Sequence, residues 1–250
     1  MSPNNRLNDL SAVEWVKSTK SWLICDGRAN DITPDIELHP ATFPPDLLTR
    51  FIRFFTKAGQ CVLDPFVGSG STLVAAYQTG RRSVGIELSP KYYANTLQRL
   101  ARLTPEPDQE HFVPSIFQGD ARTVTELVKE PLDYCITSPP YWNILRKSRG
   151  GAESNHIKRA RAGLDTDYGD DSLDLGNIPS YEEYITELVN IFAKVRTVLR
   201  KDAYITIIIQ NARVPAGEMV PIAWDLAMRM RSFFLLQQEI VWCQNQKRLN

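Results

Sequence analysis

The chain has 250 residues, 43% hydrophobic and 23% charged, which is ordinary for one soluble globular domain with a sizeable core. Its 29 basic residues balance 29 acidic ones, so overall charge does not by itself indicate a nucleic-acid partner. From the polar start we expect no secretory signal; no apolar run reaches membrane-spanning length, and the cysteines and histidines lack metal-ligand spacing. We therefore predict a metal-free cytoplasmic protein.

The first predicted elements are short, a helix over residues 10–16 and a strand over residues 21–24. Trp15 and Trp22 lie in these elements, where large rings are typical of packing residues rather than of a site. We treat residues 1–38 as an N-terminal extension.

A strand, a tight glycine loop and a helix follow one another between Gln60 and Tyr77. Gly68 and Gly70 let the backbone turn sharply and approach a ligand closely. Open α/β sheets bind ligands at such crevices beyond their strand ends. The loop lacks the Gly-Lys-Ser/Thr of a P-loop and the third glycine of the dinucleotide fingerprint, so by itself it does not identify the ligand.

Two acidic residues mark the ends of the next two predicted strands. Residues 82–88 contain Glu87, about 20 residues past the glycines, where an acid can bind both hydroxyls of a ribose. Ser89 is a candidate N-cap for the helix that follows. Residues 115–118 lead to Asp120, which is placed to accept a hydrogen bond from an adenine amine. Because the loop and both acids follow successive strands, we predict a cofactor that contains adenosine.

The apolar run Tyr134-Cys135-Ile136 ends at Thr137-Ser138-Pro139-Pro140-Tyr141. Two consecutive prolines hold the backbone stiff and extended. Oxygens of Ser138 and Pro139 can then accept hydrogen bonds from an exocyclic NH2 while Tyr141 stacks on the ring that carries it. A group transfer to a nucleobase amine requires such an arrangement. The alternative is a plain strand that ends in a Pro-Pro turn.

A basic, glycine-containing segment follows the prolines. Its position beside the predicted pocket indicates phosphate contacts, and the alternative is a solvated loop. The predicted DNA-binding residues are Arg146, Lys147, Arg149, Lys158, Arg159 and Arg161. The acidic stretch after them, which includes Asp174, is assigned no role.

The remaining elements continue the strand–helix alternation. Ser180 and Glu183 have the spacing of a capping box at a helix start. Apolar residues at helical spacing mark the buried face of this helix: Tyr184, Ile185, Leu188, Ile191, Phe192, Val195 and Leu199. A strand over residues 203–209, a helix over 221–230 and a strand over 234–242 complete the chain. The alternation predicts an α/β fold, a mostly parallel doubly wound sheet with helices on both faces.

Segments 64–72 and 137–141 together resemble the S-adenosylmethionine-dependent DNA amino-methyltransferases, which make N4-methylcytosine or N6-methyladenine. The resemblance covers the chain from about His39 to Trp242 and implies a Rossmann-like methyltransferase fold with S-adenosyl-L-methionine as cofactor. The cofactor-binding residues that it implies are His39, Pro40, Phe43, Asp64, Phe66, Gly68, Ser69, Gly70, Ser71, Thr72, Glu87, Leu88, Asp120 and Ala121. The catalytic residues that it implies are Ser138, Pro139, Pro140 and Tyr141.

Two details refine the resemblance. The cofactor motif precedes the catalytic motif, whereas a large group of these enzymes has the reverse order. Ser138 opens the Pro-Pro-Tyr motif, and in the family serine is more often associated with cytosine N4. The resemblance therefore implies double-stranded DNA as partner and methylation of a flipped cytosine in a restriction–modification system. Adenine N6, an RNA base, or an inactive truncated methyltransferase are the alternatives.

The chain departs from the family at its end. The family's sheet closes with a seventh, antiparallel strand, and no residues remain after the strand predicted over 234–242 to form it. An uncovered edge strand favours association. We therefore expect self-association or a missing C-terminal segment. The predicted organisation is one catalytic domain over residues 1–250, with a flexible DNA-contacting insertion over residues 143–179.

Overall fold

The computed structural model describes residues 5–26, 43–105, 110–142, 172–213 and 217–244. Its N-terminal elements are α1 (Ala12–Ser18), β1 (Trp22–Ile24), α2 (Pro45–Phe55), β2 (Cys61–Asp64), α3 (Ser71–Gln78), β3 (Arg82–Glu87), α4 (Pro90–Leu100) and β4 (Ser115–Gln118). The later elements are α5 (Val124–Leu127), β5 (Leu132–Thr137), α6 (Tyr181–Val198), β6 (Leu199–Ile207), β7 (Ala212–Arg213), β8 (Met219–Val220), α7 (Ile222–Met230) and β9 (Val241–Cys243).

Five strands form one parallel sheet in the order β4-β3-β2-β5-β6. The chain runs outward from β2 to β4, then returns to place β5 on the other side of β2. The order of the strands therefore reverses between β2 and β5, and ligands bind at the carboxyl ends of the strands beside such a reversal. The predicted parallel α/β architecture is confirmed.

The central strands β2 and β5 are buried on both faces of the sheet. On β5, Tyr134 and Ile136 face a core built with α2 and α3, while Cys135 faces the core built with α5, α6 and α7. Alternate residues of a strand point to opposite faces, so a strand covered on both sides reads as a continuous apolar run. This explains why the run over residues 134–136 contains no charged residue.

Helix α2 was not among the predicted elements. Pro45 occupies its first turn, and its buried side chains are Leu47, Leu48, Phe51 and Ile52, the spacing of an amphipathic helix. The caps that we predicted do form. The Ser89 hydroxyl accepts from the Tyr92 N–H at 3.5 Å, and the Ser180 hydroxyl accepts from the Glu183 N–H at 3.4 Å.

The strand predicted over residues 234–242 is wrong for most of its length. The Phe234 N–H instead bonds the Met230 carbonyl at 2.9 Å, which extends the turn after α7, and only Val241–Cys243 form a strand. That strand, β9, pairs in parallel with β1, with Leu23 opposite Trp242. The two form a sheet of their own, and in the described part of the chain β6 remains an edge of the main sheet.

The structure also tests the packing roles that were predicted for the two N-terminal tryptophans. Trp15 packs against Phe54 with ring centroids 5.1 Å apart, as a packing residue should, whereas Trp22 is half exposed. Cys61 and Cys135 are buried free thiols, and burial raises the pKa of Cys61 to about 11. No helix in the described ranges is both long and apolar enough to cross a bilayer.

Candidate functional site

A cavity of about 280 Å³ opens at the carboxyl ends of β2, β3, β4 and β5. Both predicted motifs line it, although 70 residues separate Gly68 from Ser138. The predicted residues in its lining are Phe43, Asp64, Phe66, Gly68, Ser69, Ser71, Thr72, Glu87, Leu88, Asp120, Ala121, Ser138, Pro139, Pro140 and Tyr141. His39, Pro40 and the six predicted DNA-binding residues lie outside the described residues.

Among the described residues, Gly70 is the one predicted cofactor residue that does not line the cavity. Its φ is +82°, a conformation that side chains rarely adopt. A Cβ atom there would lie 2.6 Å from Thr96 Cγ2, so the glycine allows the loop to pack against α4. The Thr96 hydroxyl also donates to the Gly68 carbonyl at 2.9 Å. Gly70 therefore shapes the loop rather than lining the cavity.

Asp64 joins the glycine loop to the strand that carries the prolines. Its buried carboxylate accepts from the Thr72 hydroxyl at 2.6 Å, the Thr137 hydroxyl at 2.5 Å and the Phe66 N–H at 3.1 Å. Burial raises the pKa of Asp64, and these three donors oppose that rise. The motif predicted a cofactor role for Asp64 and no role for Thr137. The carboxylate lines the cavity while three internal donors occupy it.

Glu87 lies where β3 ends, facing the glycine loop. One carboxylate oxygen accepts from the Gly68 N–H and the other from the Ser89 N–H, each at 2.8 Å. Burial raises the pKa of Glu87 to about 7, and the two N–H groups oppose that rise. Each carboxylate oxygen has a second lone pair, so the group can still accept hydrogen bonds from two ribose hydroxyls.

Asp120 is held by Arg122. Its two oxygens accept from the Arg122 N–H and from guanidinium Nη1, each at 2.8 Å. The same guanidinium donates to Glu187 of α6 at 2.9 Å and to the Leu173 carbonyl at 2.8 Å. These bonds fix the predicted adenine-side acid against α6 and against residue 173.

Residues 173–175 line the cavity, although sequence analysis gave the acidic stretch that contains Asp174 no role. The Asp174 carboxylate accepts from the Gly176 N–H at 2.8 Å and caps a short 3₁₀ helix, Leu175–Asn177. Nothing in the local pattern distinguishes Asp174 from its acidic neighbours. Its position follows from the fold.

The charged side chains in the described lining are all acidic: Asp64, Glu87, Asp120 and Asp174. A cavity with this lining disfavours a phosphate-rich ligand, because like charges repel at close range. It favours a ligand that offers hydroxyls, amines or positive charge.

The proline segment, Ser138–Tyr141, forms another wall of the cavity, the proline wall. The Thr137 carbonyl accepts from the Ile208 N–H at 2.8 Å, which continues the β5–β6 ladder to the start of the segment. The Pro140 carbonyl accepts from the Tyr184 hydroxyl at 2.7 Å. A hydrogen bond links the side chains of Ser138 and Tyr141, while burial raises the pKa of Tyr141. The Ser138 hydroxyl thus engages Tyr141, whereas sequence analysis placed it toward a substrate amine.

The family model for DNA methylases matches residues 6–98 of the chain. The matched residues include the glycine loop and Glu87 but not Ser138–Tyr141. The chain is 44% identical over 87 residues to the type II methyltransferase M.BglI of Bacillus subtilis, a match that covers 34% of this chain and 23% of the relative. It is 48% identical over 62 residues to the type II methyltransferase M.Cfr9I of Citrobacter freundii, covering 25% of this chain and 21% of the relative. The matched segments thus span about a quarter of the relatives' lengths.

Among solved structures, the fold has a loose similarity to the glycopeptide N-methyltransferase MtfA in complex with sinefungin. The TM-score is 0.41 and the sequence identity 15%, over 78% of this chain and 58% of that one.

Proposed function

We propose, for this member of the S-adenosylmethionine-dependent DNA methyltransferase family, that the cavity is an active site for methylation of an exocyclic amine of a DNA base. One observation carries the proposal. The glycine loop and the Ser-Pro-Pro-Tyr segment line one cavity, and the 2.5 Å hydrogen bond between Asp64 and Thr137 joins the strands that hold them. Donor and acceptor sites must open into the same space for a group to pass between them.

The acidic residues of the cavity lining suit the cofactor. We assign Glu87 to the ribose hydroxyls and Asp120 to the adenine amine. The carboxylates that line the cavity favour a positively charged ligand over a phosphorylated one. When bound, S-adenosylmethionine supplies an activated methyl group on a positively charged sulfur.

The proline wall suits the base. An exocyclic amine is a poor nucleophile because its lone pair is delocalised into the ring. Backbone oxygens of Ser138 and Pro139 would accept hydrogen bonds from the N–H groups of the amine and would stabilise the positive charge that develops on its nitrogen. Tyr141 would stack on the base, which must leave the duplex to enter the cavity.

We propose cytosine N4 as the target, because serine opens the Pro-Pro-Tyr motif, and a restriction–modification role, because the relatives named above are type II methyltransferases. Adenine N6 is the alternative for the base and RNA the alternative for the substrate. The six basic residues between Arg146 and Arg161 are proposed to contact DNA phosphates.

The test is methyl transfer to DNA in vitro. Purified protein would be incubated with methyl-labelled S-adenosylmethionine and PCR-amplified genomic DNA, which lacks prior methylation and contains many candidate sites. Mass spectrometry of the nucleosides then distinguishes N4-methylcytosine from N6-methyladenine. A parallel reaction with structured RNA tests the RNA alternative.

Variants of the proline wall assign the activity to the cavity. We expect Tyr141→Ala to lose most of the transfer and Tyr141→Phe to retain much of it, because the ring and not the hydroxyl would stack on the base. The exposed Ser232, on the turn after α7, is not part of the cavity lining, so Ser232→Ala controls for substitution as such and should leave transfer unchanged. Full activity of Tyr141→Ala would refute the assignment of the site. Cofactor binding without transfer to DNA or RNA would favour an inactive protein.

A further inference from the structure

The proline segment has few hydrogen-bond donors of its own. Pro139 and Pro140 carry no backbone N–H, so this stretch can be fixed only through its carbonyl oxygens or through the residues on either side. Donors must therefore come from elsewhere in the fold. The structure supplies one such donor from the first turn of α6, and on the other side of Tyr141 the side chain of Trp142 donates to the segment just before α6.

Tyr184 holds the residue before Tyr141. It lies in the first turns of α6, its side chain is fully buried, and its hydroxyl donates to the Pro140 carbonyl at 2.7 Å. Removal of this hydroxyl would leave a carbonyl of the wall without its donor. The carbonyls that we assign to the amine, those of Ser138 and Pro139, are not the one that Tyr184 occupies.

Trp142 is the residue after Tyr141, and its own side chain attaches it to the beginning of α6. Its indole N–H donates to the Ile178 carbonyl at 3.1 Å, and its ring packs on Tyr181 with centroids 5.1 Å apart. The Tyr181 hydroxyl in turn donates to Asp225 of α7 at 2.6 Å. Tyr141 therefore lies between two residues that are both attached to the beginning of α6.

We propose that Tyr184 and Trp142 are positioning residues that fix the ring of Tyr141 at the place where a base would stack. The inference rests on the proposed function of the cavity. Neither residue needs to contact the base. They act by limiting the motion of the wall, since a stacking partner that shifts by about 1 Å can cost up to a hundredfold in rate.

The chain offers a matched control for Tyr184. Tyr134 is also fully buried, and its hydroxyl donates to the Thr206 hydroxyl at the same distance of 2.7 Å. Its ring packs against Phe55 of α2 on the other face of the sheet. Tyr134→Phe and Tyr184→Phe thus remove equivalent hydrogen bonds from buried tyrosines, but only Tyr184 is attached to the proline wall.

The first measurement is kinetic. We expect Tyr184→Phe to lower kcat for DNA about tenfold and to leave the Kd for S-adenosylmethionine within about twofold, the scale of one lost hydrogen bond. Tyr134→Phe should keep kcat within about twofold, although both variants lose thermal stability. Equal losses of kcat in the two variants, or an unchanged kcat in Tyr184→Phe, would overturn the proposal.

The second measurement does not depend on activity. Within residues 138–142 only Ser138, Tyr141 and Trp142 carry backbone amide protons. Hydrogen exchange of a peptide that covers this stretch therefore reports mainly on the residues held by the start of α6. We expect exchange at Tyr141 and Trp142 to become about fivefold faster or more in Tyr184→Phe and to stay unchanged in Tyr134→Phe. Identical exchange in both variants would contradict the inference. The exchange difference in a protein that transfers no methyl group would refute the proposed function and support the positioning role.

Discussion

The Thr137 hydroxyl donates to the Asp64 carboxylate across 2.5 Å, and both side chains are buried. One residue ends the strand that leads into the glycine loop, and the other ends the strand that leads into the proline wall. The bond therefore sets the spacing between the two walls of the cavity.

Removal of this bond should affect stability and activity together. Thr137→Val keeps the shape of the side chain but takes one donor from a buried carboxylate, which we expect to cost about 1–3 kcal/mol. Urea unfolding measures the loss, and label transfer measures the effect on activity. Thr137→Ser keeps the hydroxyl and should lose much less. Equal losses in the valine and serine variants would show that packing, not the bond, is what matters at this position.

Gly70 should not tolerate a side chain. Gly70→Ala places a Cβ in a backbone conformation of φ +82° and 2.6 Å from Thr96 Cγ2. Gly59→Ala is the matched control, since Gly59 has φ +78° with no atom within 4 Å of the added Cβ. Both variants share the conformational strain, so the Gly70 variant should lose about 1–3 kcal/mol more, from overpacking.

A second change tests the cause of that difference. Thr96→Ser removes the methyl group that the new Cβ meets and keeps the hydroxyl that binds the Gly68 carbonyl. Added to Gly70→Ala, it should recover part of the lost stability in thermal or urea unfolding. No recovery would mean that the backbone conformation alone accounts for the loss.

Glu87 should make cofactor binding depend on pH. Burial raises its pKa from the ordinary 4.5 to about 7, and an ionised carboxylate is the better acceptor for ribose hydroxyls. Affinity for S-adenosylmethionine should therefore rise by up to about tenfold between pH 6 and pH 8, as the carboxyl loses its proton. Isothermal titration calorimetry measures it. Glu87→Gln should bind more weakly and lose most of this pH dependence, and a flat profile in the unaltered protein would contradict the assignment.

The same raised pKa has the opposite effect on the stability of the free protein. The folded state holds this proton more tightly than the unfolded state does. The contribution of Glu87 to stability is thus fully present below pH 4.5 and is lost as the pH rises toward 7. Comparison of urea midpoints at pH 5 and pH 7 for the unaltered protein and Glu87→Gln should show a smaller decrease in the variant.

Arg122 should matter for the cofactor although it is absent from the cavity lining. Arg122→Lys loses the geometry that binds Asp120, Glu187 and the Leu173 carbonyl together, so we expect the Kd for S-adenosylmethionine to increase about three- to tenfold. Arg82→Lys is the control, because Arg82 pairs at 3.5 Å with the largely exposed Glu130 at the other end of the sheet. Unchanged affinity in Arg122→Lys would separate Asp120 from cofactor binding.

Local patterns predicted most of the cavity, and long-range contacts account for what they did not predict. Gly68, Glu87 and Ser138 belong to short motifs at strand ends, and the parallel sheet brings such ends to one edge. Tyr184 and Phe192 both fit the helical spacing of the buried face of α6. Periodicity therefore cannot distinguish a residue that holds the proline wall from one that fills the core. The difference is a single hydroxyl whose partner lies 44 residues away.

The error over residues 234–240 has a related cause. Apolar and β-branched residues indicate that a segment can form a strand, but they do not identify its partner. Here the partner is β1, whose three residues match only Val241–Cys243. Helix α2 is a different case, because its Pro45 start and amphipathic spacing are local signals that are visible in the sequence.

The pairing of β1 with β9 has a consequence for how the protein is made. The Trp242 indole donates to the Cys25 carbonyl at 3.0 Å, a contact between residues 217 positions apart. A ribosome that has released β1 must synthesise more than 200 further residues before its partner exists. Contacts of such long range close late because of the chain entropy that they cost. Strand β1 therefore has no strand to pair with during most of translation. We expect it to be among the last parts of the molecule to gain protection from solvent.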